Sequence, residues 1–178
     1  MTVIAGKMEK EKIVIGSDGQ RTWGWQAKEV LQEGKLIVLP DIIVGGAGYG
    51  SHNNHMAVYL ASHKPQSSEK RDLLQFFVEF NQWCDKMMKN FESKNSWMIA
   101  YDGRLTSVTY DLSVDYHDFW AVGSGWEYAR TALHLGKSVE EAIGVACELT
   151  IFCAPPITIH ELPLDVRPAK PGGRTNNQ

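Results

Sequence analysis

Twice along this chain a block of short, strand-patterned segments gives way to helical periodicity, and this repeated order constrains the fold more than any single motif. Residues 2–6 ("TVIAG") and 12–16 ("KIVIG") read as strands joined by the charged turn "KMEKE". Further strands are predicted near 21–27, 35–39 and 41–46, so that the first quarter forms a β-meander. From Gly48 the spacing of Met56, Tyr59 and Leu60 predicts a helix, followed by the polar linker "SHKPQSSEKR". A stronger helix is predicted from Asp72, its N-cap, to about Phe91, with Leu73, Phe76, Phe77, Phe80, Cys84, Met87 and Met88 along one side as core residues.

The second block contains "SWMIAYD", "RLTSVTYD" and "FWAVGS" as strands, the first two joined into a hairpin by Asp102-Gly103. One helix then starts after "GSG" and ends at Gly136. Another opens on the capping-box pattern Ser138 with Glu141 and carries the apolar series Val139, Ala142, Ile143, Ala146, Leu149. "ITIHEL" is a last strand. Sheets of this kind bury one face on each other and cover the other face with helices, which predicts an α+β chain folded as a four-layer αββα sandwich.

With 178 residues there is room for one domain, assigned to 1–163, and the Pro-, Gly-, Arg- and Asn-rich tail 164–178 is expected to be disordered. A net charge of -3 gives no electrostatic footprint for nucleic acid, so none is expected as partner. The longest apolar runs are broken by Pro40 and Asp41, too short for a membrane span. The N-terminus lacks a secretory apolar region, and the cysteines, Cys84, Cys147 and Cys153, are odd in number and lack metal-ligand spacing. A soluble cytoplasmic protein without a bound metal is therefore expected.

In "IVIGSDGQRTWG" an apolar run turns polar around Asp18. An apolar run followed by Asp-Gly is the usual signal for a tight turn, and a hairpin is one reading of it. The beginning of the chain supplies another. Met1 precedes Thr2, and an initiator methionine before a small residue is commonly removed, leaving Thr2 with a free α-amine beside its own hydroxyl. A threonine held this way in a strand combines nucleophile and base, because an α-amine with a pKa of about 7.7 to 8.0 is substantially neutral at working pH.

"TVIAG", "VIGSDGQRTWG", Lys35 opening a strand, "VGGAG", "AVGSGWEYARTAL" and "ITIHEL" follow one another over residues 2–162. In this order and spacing the sequence resembles the proteasome β-subunit family, most nearly its bacterial dodecameric branch, the HslV (ClpQ) peptidases. The resemblance implies the N-terminal-nucleophile hydrolase fold and a threonine-type endopeptidase that needs no cofactor. It makes Thr2 the nucleophile after Met1 removal and Asp18 the carboxylate that orients the lysine and the amine. Lys35 becomes the cation that lowers the pKa of both threonine groups, with Lys28 as the competing candidate. Gly48 matches the glycine whose N–H forms the oxyanion hole, and Ser124 the serine that hydrogen-bonds the amine and relays a proton. Each has an ordinary structural alternative: a turn for Asp18, a strand-to-helix connection for Gly48, a helix N-cap for Ser124 and a solvated charge for a lysine.

The small Gly46 suggests a roomy primary specificity pocket, with Arg21, Glu33 and Gly50 around it and room for large or basic side chains. The implied partners are the chain itself in stacked hexameric or heptameric rings, unfolded peptide substrates and an AAA+ unfoldase. Two departures stand out. Cys147 and Thr150 occupy positions where the proteasome branch has an aspartate and a serine, although the HslV branch lacks that aspartate as well. The tail beyond Leu162 is longer than the HslV pattern, so docking to an HslU-type ATPase does not follow. A retained Met1 would acylate the Thr2 amine and abolish the base, which keeps open a catalytically inactive ring-forming scaffold of the same fold, separable by intact mass. A small-molecule amidase is a third reading, disfavoured because no sizeable insertion builds a dedicated pocket.

Overall fold

Alternation of side chains along the first strand dictates how the layers stack. The computed structural model describes residues 1–23, 27–30, 34–88 and 91–165. Strand β1 (Val3–Met8) pairs antiparallel with β2 (Lys12–Ser17), Ile4 standing opposite Ser17 and Met8 opposite Ile13. Strand β10 (Phe119–Gly123) adds to the free side of β1 and β11 (Thr158–Pro163) to that of β2, giving a four-stranded sheet in the order β10-β1-β2-β11. Successive residues of a strand point to opposite faces. Val3 and Ala5 accordingly face one side and Ile4 the other, and both sides are buried.

A second, five-stranded antiparallel sheet runs β5 (Leu36–Leu39), β6 (Ile42–Ala47), β7 (Ser96–Tyr101), β8 (Arg104–Val108) and β9 (Val114–His117). Helices α1 (Gly50–Leu60) and α2 (Lys70–Met87) cover its outer face, where Met56, Tyr59, Phe76, Phe77 and Phe80 pack on Val44, Trp97 and Ile99. Helices α3 (Trp126–His134) and α4 (Val139–Leu149) cover the first sheet, with Ala129, Leu133, Ala142, Ile143 and Ala146 against Val3, Ala5 and Val14. Between the sheets lies a third apolar layer of Ile4, Ile13, Ile15, Ile43, Met98, Ala100 and Leu105. Three apolar interfaces between four layers make the αββα sandwich.

Several local expectations hold. Asp102 and Gly103, at φ of +47° and +71°, form the tight turn between β7 and β8. Gly136, at φ +87°, terminates α3, its N–H bonded to Leu133 O while Lys137 N–H reaches Ala132 O. Ser138 and Glu141 form both bonds of the capping box.

Other expectations change. The first strands are not one meander: β1 and β2 belong to one sheet and β5 and β6 to the other, with β3 (Gln20–Trp23) and β4 (Ala27–Val30) as a separate ribbon between them in sequence. Glu69, not Asp72, caps α2; Asp72 lies in its first turn, where its charge favours the helix N-terminus. The helix ends at Met87, so Phe91 reaches the core from beyond it. Strand β9 was absent from the sequence expectations, because its Asp115 and Tyr116 are exposed and its four residues carry little apolar pattern.

Candidate active site

The β1–β2 ladder brings Thr2 and Asp18 together just past its last pair. Asp18 N–H donates to Val3 O at 3.2 Å, while Val3 N–H donates to Asp18 Oδ1 at 2.9 Å, so the carboxylate continues the pairing that the strand ends. The other oxygen, Oδ2, accepts from Gln20 N at 3.0 Å and Ala154 N at 3.3 Å. The side chain is wholly buried, and these donors replace the water it has lost. Gly19 follows because a Cβ there would meet Pro156 within 2.5 to 2.9 Å. Strands β2 and β3 do not pair, so Asp18-Gly19 is not a hairpin turn.

Lys35 stands just before β5, its N–H donating to Ser17 Oγ at 3.3 Å. Its ammonium lies 2.6 Å from Asp18 Oδ1 and 3.3 Å from Met1 O. Burial pushes its pKa down, and the Asp18 carboxylate opposes that shift. Lys28, the competing candidate, has its backbone opposite Thr22 in the β3–β4 ribbon, and it is the ammonium of Lys35 that meets Asp18.

Thr2 is buried, its Oγ donating to Met1 O at 2.6 Å. The Met1 amine donates to Thr22 Oγ at 2.9 Å; burial first, and the Lys35 cation second, hold its pKa below the usual range. Ser124 is exposed and follows Gly123, which pairs with Val3. Gly125, not Ser124, is the N-cap of α3, and it makes no side-chain cap bond.

Gly48 is exposed at the end of β6 with φ +149°, and a Cβ there would land on Asn95 Oδ1. Arg21 and Gly50 come together: Arg21 Nη2 is 3.2 Å from where a Gly50 Cβ would stand, at the N-terminus of α1. Gly46 does not open a pocket as the sequence suggested. The space its missing side chain leaves is occupied by Asn53 Oδ1 and the Trp97 ring, whose nearest atom is 2.5 Å from the Cβ position. Glu33 lies outside the described residues.

Behind the site, Cys153 is 2% exposed and its thiol pKa is pushed up to about 12 by burial. Thr150, at the C-cap of α4, uses its hydroxyl to accept from Phe152 N at 3.1 Å. Cys147 is half-buried on α4. The sequence reading missed Thr22, Gln20, Asn53, Asn95 and the Ala154 amide. Asn95 reaches Tyr49 across 46 residues from a polar stretch that reads as a linker, so no local pattern signals it.

The arrangement holds a hydroxyl, a desolvated cation and a carboxylate around the start of β1, with the exposed Gly48 at the end of β6. These are the parts that acyl transfer to an oxygen nucleophile requires.

No family model matches the chain. It is 32% identical over 182 residues to the ATP-dependent protease subunit HslV of Sulfurihydrogenibium sp. (strain YO3AOP1), covering 90% of this chain and 96% of that protein. Among solved structures it is similar to Thiobacillus denitrificans BPH in complex with epoxomicin, with a TM-score of 0.82 and 20% identity over 92% of this chain and 100% of the other. It is also similar to eukaryotic HslV from Trypanosoma brucei, with a TM-score of 0.68 and 17% identity over 90% of this chain and 99% of that one. At such identities the two structural likenesses speak for the fold.

Proposed function

This chain belongs to the HslV branch of the proteasome β-subunit family, and from that premise we propose that it is a threonine-type endopeptidase with Thr2 as its nucleophile. One observation carries the reading: the buried Lys35 ammonium, 2.6 Å from Asp18, also reaches Met1 O at 3.3 Å, beside the Thr2 nitrogen. Removal of Met1 converts that nitrogen into a free α-amine beside the Thr2 hydroxyl. The adjacent cation lowers the pKa of both groups, so that amine and hydroxyl serve as base and nucleophile near neutral pH.

Thr2 Oγ attacks the peptide carbonyl and passes its proton to the α-amine. Gly48 N–H stabilises the oxyanion, a contribution of about 2.7 to 4 kcal/mol where such donors have been removed. The C–N bond breaks as the amine returns the proton to the leaving group. Water, with the same amine as base, then hydrolyses the ester and regenerates Thr2. Asp18 orients Lys35, and Ser124 relays a proton at the amine. Arg21 and Gly50 flank the substrate cleft beside Gly48.

The setting we infer is stacked rings of this chain in the cytoplasm acting on unfolded peptides, either fed by an ATP-driven unfoldase or admitting small unfolded peptides directly. No described helix is long and apolar enough to cross a membrane. An inactive ring-forming scaffold of the same fold is the second reading, since a Met1 that stays attached would acylate the Thr2 amine and abolish the base. Intact mass of native protein and a peptide epoxyketone decide between them. The peptidase requires a population lacking Met1 and an adduct on Thr2 that disappears in Thr2→Ala and falls sharply in Lys35→Ala. Complete retention of Met1, or labelling elsewhere, overturns it.

A further inference from the structure

The β6–β7 ladder ends where Ala47 pairs with Ser96, and the next residues, Gly48 and Asn95, face each other without a backbone pair. There the Asn95 side chain takes over. It is fully buried; Oδ1 accepts from Tyr49 N at 2.6 Å, and Nδ2 donates to Tyr49 O at 3.2 Å and to Asn53 Oδ1 at 3.0 Å. Asn53 in turn donates from Nδ2 to Gly46 O at 2.8 Å. We propose that Asn95, backed by Asn53, is a positioning residue that sets the direction of the Gly48 N–H, an inference that rests on reading Gly48 as the oxyanion donor.

Peptide planes are rigid, so a chain segment is steered through the planes on either side of it. Asn53 fixes the plane carrying Gly46 O, and Asn95 fixes the one carrying Tyr49 N. The plane bearing the Gly48 N–H lies between them, and its tilt follows from theirs. Gly48 is also pressed so closely on Asn95 Oδ1 that no Cβ fits there. Only an amide satisfies the whole network, because it needs one acceptor and two donors on the same side-chain terminus. A carboxylate at residue 95 would set oxygen against Tyr49 O and Asn53 Oδ1.

The test uses the assembled protein with Met1 removed, a fluorogenic peptide, and a peptide aldehyde that forms a tetrahedral adduct. In Asn95→Ala and Asn95→Asp, kcat should fall roughly 100-fold, as for a misdirected oxyanion donor, with KM within about 3-fold of the parent. Aldehyde affinity should fall in parallel with kcat. The pH profile should keep its shape, since Thr2 and Lys35 are untouched. Asn53→Ala, which removes only the Gly46 tie and the support of Asn95, should lose roughly 10-fold in kcat on the same grounds; it decides the matter if the Asn95 variants do not assemble. Unchanged kcat in assembled variants, a shifted pH profile, or a loss accounted for entirely by a smaller folded fraction overturns the inference. Failure of the parent protein to show Thr2-dependent hydrolysis sinks the functional reading itself. Thr2-dependent hydrolysis that is indifferent to residues 95 and 53 sinks only the role given to them.

Discussion

The ammonium of Lys35 and the carboxylate of Asp18 stand 2.6 Å apart with 6% and 0% of their side chains exposed. Removing two charges from water costs several kcal/mol each, and their attraction alone does not reliably recover it. Here the carboxylate also accepts from Val3, Gln20 and Ala154 N–H groups, so it organises three stretches of backbone at once. The pair is held by its surroundings as much as by Coulomb attraction.

Asp18→Ala should therefore cost about 3 to 5 kcal/mol, because it leaves a buried cation without its partner and three amides without acceptors. Asp18→Asn, which keeps an acceptor, should cost less. Denaturant unfolding of the two variants at matched protein concentration measures the difference, and a loss below about 1 kcal/mol for Asp18→Ala contradicts the assignment. Peptide hydrolysis should vanish in both.

Gly48→Ala should separate activity from stability. Its φ of +149° and the closeness of Asn95 make any side chain strained, at about 1 to 3 kcal/mol. Displacing an oxyanion donor costs roughly 100-fold or more in kcat. Calorimetry alongside steady-state kinetics tests this; a variant with parental kcat removes Gly48 from the mechanism.

The architecture was legible because each layer interface is written locally: short continuous apolar runs in "TVIAG" and "KIVIG", buried on both faces, and one apolar stripe from Leu73 to Cys84. Ion-pair geometry at Asp18 and Lys35 was reachable only through family likeness, since nothing local distinguishes Lys35 from Lys28. What escaped depends on long-range amide contacts. The small residue at 46 suggested empty space, yet its neighbours from α1 and β7, Asn53 and Trp97, fill it. Sequence reports the volume that a residue lacks, and tertiary packing determines who takes it.

Alkylation should discriminate among the three thiols. Burial pushes Cys84 up to about 11 and Cys153 up to about 12, and both are almost completely enclosed. Iodoacetamide near neutral pH should modify half-buried Cys147 first and leave the other two unlabelled until the protein unfolds. Peptide mapping by mass spectrometry reads the order; early labelling of Cys153 would mean that the back of the site opens in solution.

Acid unfolding should carry a signature of the α4 cap. The Ser138 backbone N–H first, and then Lys137, lower Glu141 from its ordinary 4.5 to about 2. A depressed carboxyl pKa gives stability that is present above 4.5 and lost as the pH falls from there toward about 2. Glu141→Gln should flatten the stability curve across that window by lowering the neutral and alkaline plateau, so that variant and parent converge as the pH falls toward about 2. Ser138→Ala should cost about 1 kcal/mol at neutral pH by removing the cap itself. Urea midpoints across the acid range check both.

Asp18 completes its set of bonds only when Ala154 arrives, although the residues it organises lie at the opposite end of the chain. During synthesis the N-terminal strand leaves the ribosome first and waits, its carboxylate lacking one donor and its neighbouring cation lacking a finished enclosure. A nascent chain shorter than that point therefore holds the Asp18 carboxylate one donor short of its full set, and the last stretch to be synthesised closes a cluster that the first stretch began.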